Sequence, residues 1–390
     1  MKILNTFTLI ITTLLLCVSF LAVADDPPLM IPAPPALAAT SYILIDAKTG
    51  RVIVEQNSDA PLPPASLTKM MTAYIVADEL AKGKIHLDDD VLISKAAWDK
   101  GGSKMFIKVG DKVKLDFLLK GVIIQSGNDA SIALAEHIAG AEDAFADVMN
   151  QQARYLGMEN SQFKNATGWP ADGHYSTARD LAILAQAIIQ QHPEHYKIYS
   201  EKYFEYNNIR QPNRNRLLWR DSSVDGVKTG HTQEAGYCLV ASAVNNGMRL
   251  ISVVMGTKSE EARAVESQKL LSYGFRYYET HRLYGAEDVL SENRVWGGVS
   301  KTVGLGLGRE VFLTIPRGSE KNLKAEMTVD QVIRAPFESG HEFGKVIIAN
   351  NDEVIFDESL VALERVDEAG IFSRLWDMLV LFIYQLLNIV

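Results

Sequence analysis

Cysteine is almost missing from this 390-residue chain: Cys17 and Cys238 are the only two. A disulfide-stapled secreted scaffold is therefore excluded, because such domains carry several pairs. Basic excess is missing too. Lys and Arg number 39 against 48 Asp and Glu, a formal charge of −9, so there is no surplus to neutralise phosphates and a nucleic-acid partner is not expected. Glycine (27) and proline (13) follow no Gly-X-Y period, which excludes a collagen-like fibre. The chain has no internal repeat and no phosphate-cradling Gly-rich loop. With 47% hydrophobic and 22% charged residues, the rest is an ordinary folded protein of two or three domains.

Both ends carry membrane signals. Lys2, the apolar run Leu9–Phe20 and the small-x-small site Ala22-Val23-Ala24 predict a cleaved signal peptide over residues 1–24, with export as the consequence. Residues 25–39, rich in Pro and Ala, read as an extended leader. Only Cys238 then survives, inside Tyr237-Cys238-Leu239-Val240, where it reads as a buried small hydrophobe. At the other end, residues 369–390 form an amphipathic segment. Ser373, Arg374, Asp377, Gln385 and Asn388 make a polar stripe, interrupted by Leu381, among Leu375, Trp376, Met378, Leu379, Phe382, Ile383 and Leu386. Three readings are open: a helix lying in a membrane interface, a spanning helix and a docked terminal helix. Arg374 and Asp377 leave too short a clean apolar stretch for spanning, which favours the surface helix.

Between the ends the texture changes once. Residues 41–55 read as a hairpin about Lys48-Thr49-Gly50. A helix opens near Ser66 after Pro63-Pro64, with Leu67, Met70, Met71 and Tyr74 spaced to bury one face. Helical periodicity follows over 115–140, 142–156 and 176–191, strands over 223–229, 236–244 and 249–256, and a helix over 259–274. This predicts a layered α/β domain over residues 40–277. Residues 278–368, with short alternating runs such as Val311–Ile315 and Glu353–Phe356, predict a small all-β, sandwich-like domain.

Ser66 in Ser66-Leu67-Thr68-Lys69 is the candidate nucleophile. Residues i and i+3 share a helix face, so Lys69 can reach the Ser66 hydroxyl and act as its base if burial and nearby cations depress its pKa. A position in the first helical turn adds backbone N–H groups near a developing oxyanion. The pattern alone is weak: Ser161-Gln162-Phe163-Lys164 repeats it. Ser126-Gly127-Asn128 likewise has a copy in Ser291-Glu292-Asn293, and Lys228-Thr229-Gly230 one in residues 48–50. Order and context select Ser66, Ser126 and Lys228.

Those three motifs, with the longer stretches Pro64–Thr72, Gln125–Ala130 and Val224–Thr232, resemble the low-molecular-mass penicillin-binding proteins, serine D-alanyl-D-alanine carboxypeptidases of the membrane-anchored two-domain kind. The likeness runs the whole chain. It implies a penicillin-recognising α/β (α+β) fold, an antiparallel sheet with helices, plus an all-β domain and an anchor helix. It implies removal of the terminal D-alanine from peptidoglycan stem peptides at the periplasmic face of the inner membrane, with β-lactams as covalent inhibitors and no cofactor or metal.

The resemblance also implies roles. Ser66 attacks and Lys69 is its base. Ser126 relays a proton to the leaving D-alanine, and Asn128 holds Lys69 and the substrate backbone. Lys228 supplies a second charge that keeps Lys69 neutral. Backbone N–H groups of Ser66 and His231 form an oxyanion hole, and Gly230 leaves room for substrate along the strand edge. Thr229 and Arg263 receive the terminal carboxylate, and Arg214 lies at the rim or faces solvent.

The segment Asp99–Lys104 looks shorter than in familiar members, which bears on deacylation, and the water-activating glutamate motif of class A β-lactamases has no counterpart. Slow deacylation of a penicilloyl group is the expectation. The rivals are a β-lactamase and a non-catalytic wall-binding scaffold, and a dimer stays open. His192-Pro193-Glu194-His195 reads as chance rather than a metal site, Asn165-Ala166-Thr167 as a loop, His174 as structural, and Gly304–Gly308 as a strand or turn.

Overall fold

The computed structural model describes residues 31–350 and 353–387. The signal peptide, the first part of the leader and Asn388 lie outside the described residues.

The frame of the first domain is a five-stranded sheet. Its strands are β1 (Ser41–Asp46), β2 (Val52–Gln56), β3 (Val224–Thr232), β4 (Gly236–Asn245) and β5 (Met248–Thr257), in the order β2-β1-β5-β4-β3, and every pair is antiparallel. Alternation along the strands sorts their side chains to two faces. Ile43, Ile45, Ile251, Val253 and Cys238 join the helical core. Leu44 and Leu250 turn the other way, against Gly274 of α5 (Glu260–Tyr277), where a Cβ would come within 2.9 Å of both. That helix begins at Ser259, whose side chain accepts from Ala262 N. Cys238 is fully buried and burial pushes its thiol up to about 11, as suits a packing residue rather than a nucleophile.

The helical layer consists of α1 (Lys69–Ala81), α2 (Asn128–Ala139), α3 (Glu142–Tyr155) and α4 (Ala178–Gln191), with shorter turns between. Two expectations need correction. The helix after Ser66 does not bury one face: Lys69 to Ala77 are all buried, because α1 runs through the middle of the domain against α2, α3 and α4. The helix expected over 115–140 is broken. Leu115–Lys120 passes into a wide turn at Gly121–Gln125, Ser126 takes a left-handed conformation (φ 65°), and α2 starts afresh at Asn128. The interruption turns the Ser126 and Asn128 side chains toward α1 and β3, which an unbroken helix could not do with both.

Among the described residues the second domain holds eight strands: β6 (Tyr278–Tyr284), β7 (Ser291–Trp296), β8 (Thr302–Gly306), β9 (Val311–Pro316), β10 (Leu323–Val329), β11 (Ile333–Arg334), β12 (Glu342–Asn350) and β13 (Glu353–Ala362). β6 pairs with β9, and the others form a six-stranded sheet ordered β10-β12-β13-β8-β7-β11. Val295, Val303, Leu305, Val311, Ile315 and Leu360 are at the centre of its core. Glycines 304 and 306 lie on β8, in this sheet. The hairpin turn Lys48–Gly50 meets this domain: Thr49 Oγ1 is 2.7 Å from Thr314 Oγ1, and Arg51 donates to Thr314 O at 2.8 Å.

The final helix, α6 (Ile371–Leu386), is oriented in a way the sequence did not reveal. Ser373, Asp377 and Leu381 of its stripe face the β domain, while Arg374 and Gln385 stay exposed at its edges. Asp377 is buried, accepting from Gly297 N at 2.9 Å and Lys301 Nζ at 3.0 Å. Burial alone would raise the Asp377 carboxyl, but these donors and Arg294 outweigh it and hold it below the usual range. Tyr384 packs edge-on against Trp296 at 5.8 Å. The apolar residues point outward, Phe372 86% and Leu386 73% exposed. No described helix is long and apolar enough to cross a membrane.

Candidate active site

Ser66 sits in a single 3-10 turn, Ala65–Thr68, that leads directly into α1. Ala65 before it has φ 48°, a left-handed conformation that costs an alanine about 1 kcal/mol. Gly168 holds the turn from outside: its φ is +79°, and a Cβ there would lie 1.8 Å from Ala65 O. The Ser66 hydroxyl is partly exposed, while Lys69, one turn on, is buried.

Lys69 Nζ has three acceptors: Ser66 Oγ at 3.1 Å, Asn128 Oδ1 at 2.7 Å and the Thr167 carbonyl at 2.6 Å. Burial lowers its pKa from 10.5 to about 7, and the positive charges of Arg214 and, more weakly, Lys100 push the same way. Asp129 and Glu142 oppose them. The sequence reading gave the lowering role to Lys228. In the structure burial and Arg214 lead instead, while the Lys69 charge bears on Lys228 and joins burial in holding that ammonium well below its ordinary value.

Asn128 is fixed from two directions, since its Nδ2 donates to Gly101 O at 2.7 Å and its backbone N to Ser103 O at 2.7 Å. The segment Asp99–Lys104 is therefore the loop beside the site. Ser126 forms a second pair with Lys228, whose Nζ donates to Ser126 Oγ at 2.9 Å and to Thr229 O at 3.1 Å. Both residues are buried. Lys228 to His231 lie on β3, the edge strand, so the sheet offers a free side next to Ser66.

The remaining expected residues fall around these pairs. Arg263, buried on the helix Glu260–Tyr277, donates to Gly230 O at 3.2 Å. Arg214 is exposed and donates through Nε to Gln125 O at 3.3 Å, at the rim. His231 is exposed, its ring 4.0 Å from that of Tyr237. Thr229 is buried beside Lys228. The reason given for Gly230 needs revision: a Cβ there would meet Pro64 O at 2.8 Å and Leu67 at 3.1 Å. Its missing side chain lets β3 close on the Ser66 turn, rather than clearing space for substrate.

The duplicate motifs go elsewhere. Ser161 donates to Asp180 at 2.6 Å, Ser291 pairs with Asn293, and Thr49 belongs to the domain junction. Asn165 is buried, its Oδ1 accepting from Thr167 N, Gly168 N and Trp169 N, a turn-building role. His174 bonds Thr68 Oγ1 at 2.9 Å, and burial lowers its pKa to about 4, so the ring is neutral and supports the Ser66 turn. His192 sets its ring edge-on against Tyr74. Sequence reasoning missed the Thr167 carbonyl and Asp129. The carbonyl has no sequence signal, but Asp129 follows Ser126-Gly127-Asn128 at a helix start, where an acid is expected.

Comparison with known proteins identifies the family of both domains. The family described as D-alanyl-D-alanine carboxypeptidase (peptidase S11) matches residues 29–259, and "Penicillin-binding protein 5, C-terminal domain" matches 278–368. The D-alanyl-D-alanine carboxypeptidase DacC of Escherichia coli K12 is 46% identical over 359 residues, 90% of each chain. Penicillin-binding protein 5 of Haemophilus influenzae superposes with a TM-score of 0.83 at 44% identity, covering 86% of this chain and all of that one. Penicillin-binding protein D2 of Listeria monocytogenes, solved in its ampicillin-bound form, gives 0.58 at 30% identity over 63% of this chain and all of its own. With both domains matched and a relative 46% identical over nine-tenths of its length, the chain belongs to the D-alanyl-D-alanine carboxypeptidase family of serine peptidases.

Proposed function

We propose that the chain removes the terminal D-alanine from peptidoglycan stem peptides through an acyl-enzyme on Ser66. The observation that carries this is the Ser66–Lys69 hydrogen bond at 3.1 Å, with Lys69 buried and its pKa near 7. A neutral Lys69 takes the Ser66 proton as Oγ attacks the carbonyl carbon of the penultimate D-alanine. The electron pair moves to the carbonyl oxygen, where backbone N–H groups of Ser66 and His231 receive it. When the tetrahedral centre collapses, the C–N bond breaks and the leaving amine takes a proton relayed through Ser126, which Lys228 holds at 2.9 Å. Water then attacks the ester, returning the Ser66 hydroxyl and releasing the shortened peptide. Thr229, Arg263 and the rim Arg214 supply positive charge and a hydroxyl for the terminal carboxylate, and substrate lies along the β3 edge as an added strand. A β-lactam enters by the same attack, but its amine stays tethered after ring opening, so a long-lived acyl-enzyme follows.

Residues 40–277 are the catalytic part in this reading and 278–368 a pedestal. The outward apolar side of α6 is the contact with the outer leaflet of the inner membrane, which puts the protein on its periplasmic face. Cosedimentation of the mature protein with lipid vesicles, lost on removal of residues 369–390, tests that part. For the reaction, mature protein lacking the tail is incubated with a peptide ending in D-Ala-D-Ala and free D-alanine is quantified. Release that persists in Ser66→Ala or after penicillin treatment would refute the assignment.

A further inference from the structure

Trp169 is 45% exposed at the rim of the site, yet it touches both loops that hold the base in place. On one side its six-membered ring lies under Gly101 and Gly102, where added Cβ atoms would come 3.5 and 3.3 Å from it. The Lys100 ammonium stands 5.2 Å from its ring centroid, a cation–π distance. On the other side the backbone of Trp169 is tied into the Asn165 turn. Its N donates to Asn165 Oδ1 at 3.0 Å and Thr167 Oγ1 at 3.1 Å, and its carbonyl accepts from Asn165 Nδ2 at 2.9 Å. Each loop delivers one acceptor to the same place: Gly101 O fixes Asn128, and Thr167 O receives Lys69 directly.

We propose that Trp169 is a positioning residue for acylation, its indole holding the Lys100–Gly102 backbone and the Lys100 charge over the site so that Asn128 and Lys69 keep their geometry. The proposal rests on the reading of Lys69 as the base of Ser66. Trp169 is bound through its backbone to one loop and through its ring to the other, so it is the joint between them. Gly102 fits the role, since a Cβ there would press on the ring at 3.3 Å and on Asn128 Nδ2 at 2.7 Å, whereas one at Gly101 would reach the ring only at an ordinary contact distance of 3.5 Å. The charges bearing on Lys69 are Arg214 and Lys100, which disfavour its protonation, and Asp129 and Glu142, which favour it; Lys228 stands across the site. Of the two that disfavour protonation, Lys100 is the one a ring holds. Trp169 also walls a groove of about 650 Å³ with Pro61–Pro64 and Tyr175. A simple wall would alter ligand affinity and leave the base untouched.

The test is the pH dependence of acylation by a fluorescent penicillin, measured by stopped flow on the mature protein and on Trp169→Ala, Trp169→Phe, Lys100→Met and the Lys100→Met/Trp169→Ala double variant. Trp169→Ala is expected to acylate about tenfold more slowly at neutral pH, in line with a small misplacement of catalytic groups. Its acid limb is expected to move toward higher pH, as in Lys100→Met, and the double variant to move no farther than Lys100→Met alone. Trp169→Phe keeps a ring beneath the glycines and is expected to restore most of the rate. An acid limb left in place in Trp169→Ala, with only penicillin affinity or melting temperature changed, would overturn the proposal. So would shifts that add in the double variant. Wild-type protein that takes up no penicillin would overturn the acyl-enzyme reading, and this proposal with it.

Discussion

Asp129 offers a prediction whose size follows from counting. Its carboxylate is buried at the start of α2 and accepts from four backbone N–H groups: Met105 (3.0 and 3.1 Å), Phe106 (3.0 Å), Ile107 (3.4 Å) and Ala130 (2.9 Å). It thereby pins residues 105–107, which continue from the loop that fixes Asn128. Asp129→Ala leaves those donors unmet in a space water enters poorly, at about 1 kcal/mol each, or roughly 3–4 kcal/mol in all. That is a large part of a total stability of about 5–15 kcal/mol, and for a domain of this size it lowers the melting temperature by roughly 10 °C. Asp129→Asn keeps the shape and one acceptor, and about half the loss is expected. The asparagine also removes a negative charge that favours protonated Lys69, so the acid limb of acylation shifts to lower pH. Calorimetry of the two variants, with penicillin acylation followed across pH, reads both effects. A melting temperature for Asp129→Ala within about 2 °C of wild type would refute the count.

Two further outcomes follow from the same geometry. A base is active when neutral, so with the Lys69 pKa lowered to about 7 the acylation rate rises as pH increases through about 7 and levels above it; a profile still climbing steeply at pH 9 would contradict a depressed lysine. Gly168→Ala drives a Cβ into Ala65 O and moves the Ser66 turn, so the variant is expected to lose at least a hundredfold in acylation rate, measured by fluorescent penicillin uptake.

Much of the fold was legible because its elements carry local signals. The Lys48–Gly50 hairpin turn and the helix expected from residue 259, which the structure shows capped by Ser259, are both determined by nearby residues. The order of the three motifs likewise picked out the copies whose side chains the structure pairs, Ser66 and Asn128 with Lys69 and Ser126 with Lys228. What stayed hidden depends on tertiary packing. Gly127 marks a helix boundary beside Ser126, but nothing local announces the left-handed turn that brings Ser126 to Lys228, 102 positions away. The environment of α1 was misjudged because periodicity reports an amphipathic face only when one side meets water, and this helix has neighbours all round. Gly230 was assigned space for substrate because a sequence cannot say which side of a strand is crowded. The α6 stripe showed its amphipathic pattern plainly, but not that the polar side would be the docked one, since Lys301 and Gly297 lie far off in the chain.

The central claim is that Ser66, with Lys69 as its base, is the nucleophile. Its most direct test is peptide mapping by mass spectrometry after brief exposure of the mature protein to penicillin. The account predicts one adduct per chain, equal in mass to the whole antibiotic because ring opening releases nothing, located on the peptide containing Ser66. It predicts no adduct in Ser66→Ala and a greatly slowed one in Lys69→Ala. An adduct on any other residue, or undiminished labelling of a folded Ser66→Ala protein, would contradict it.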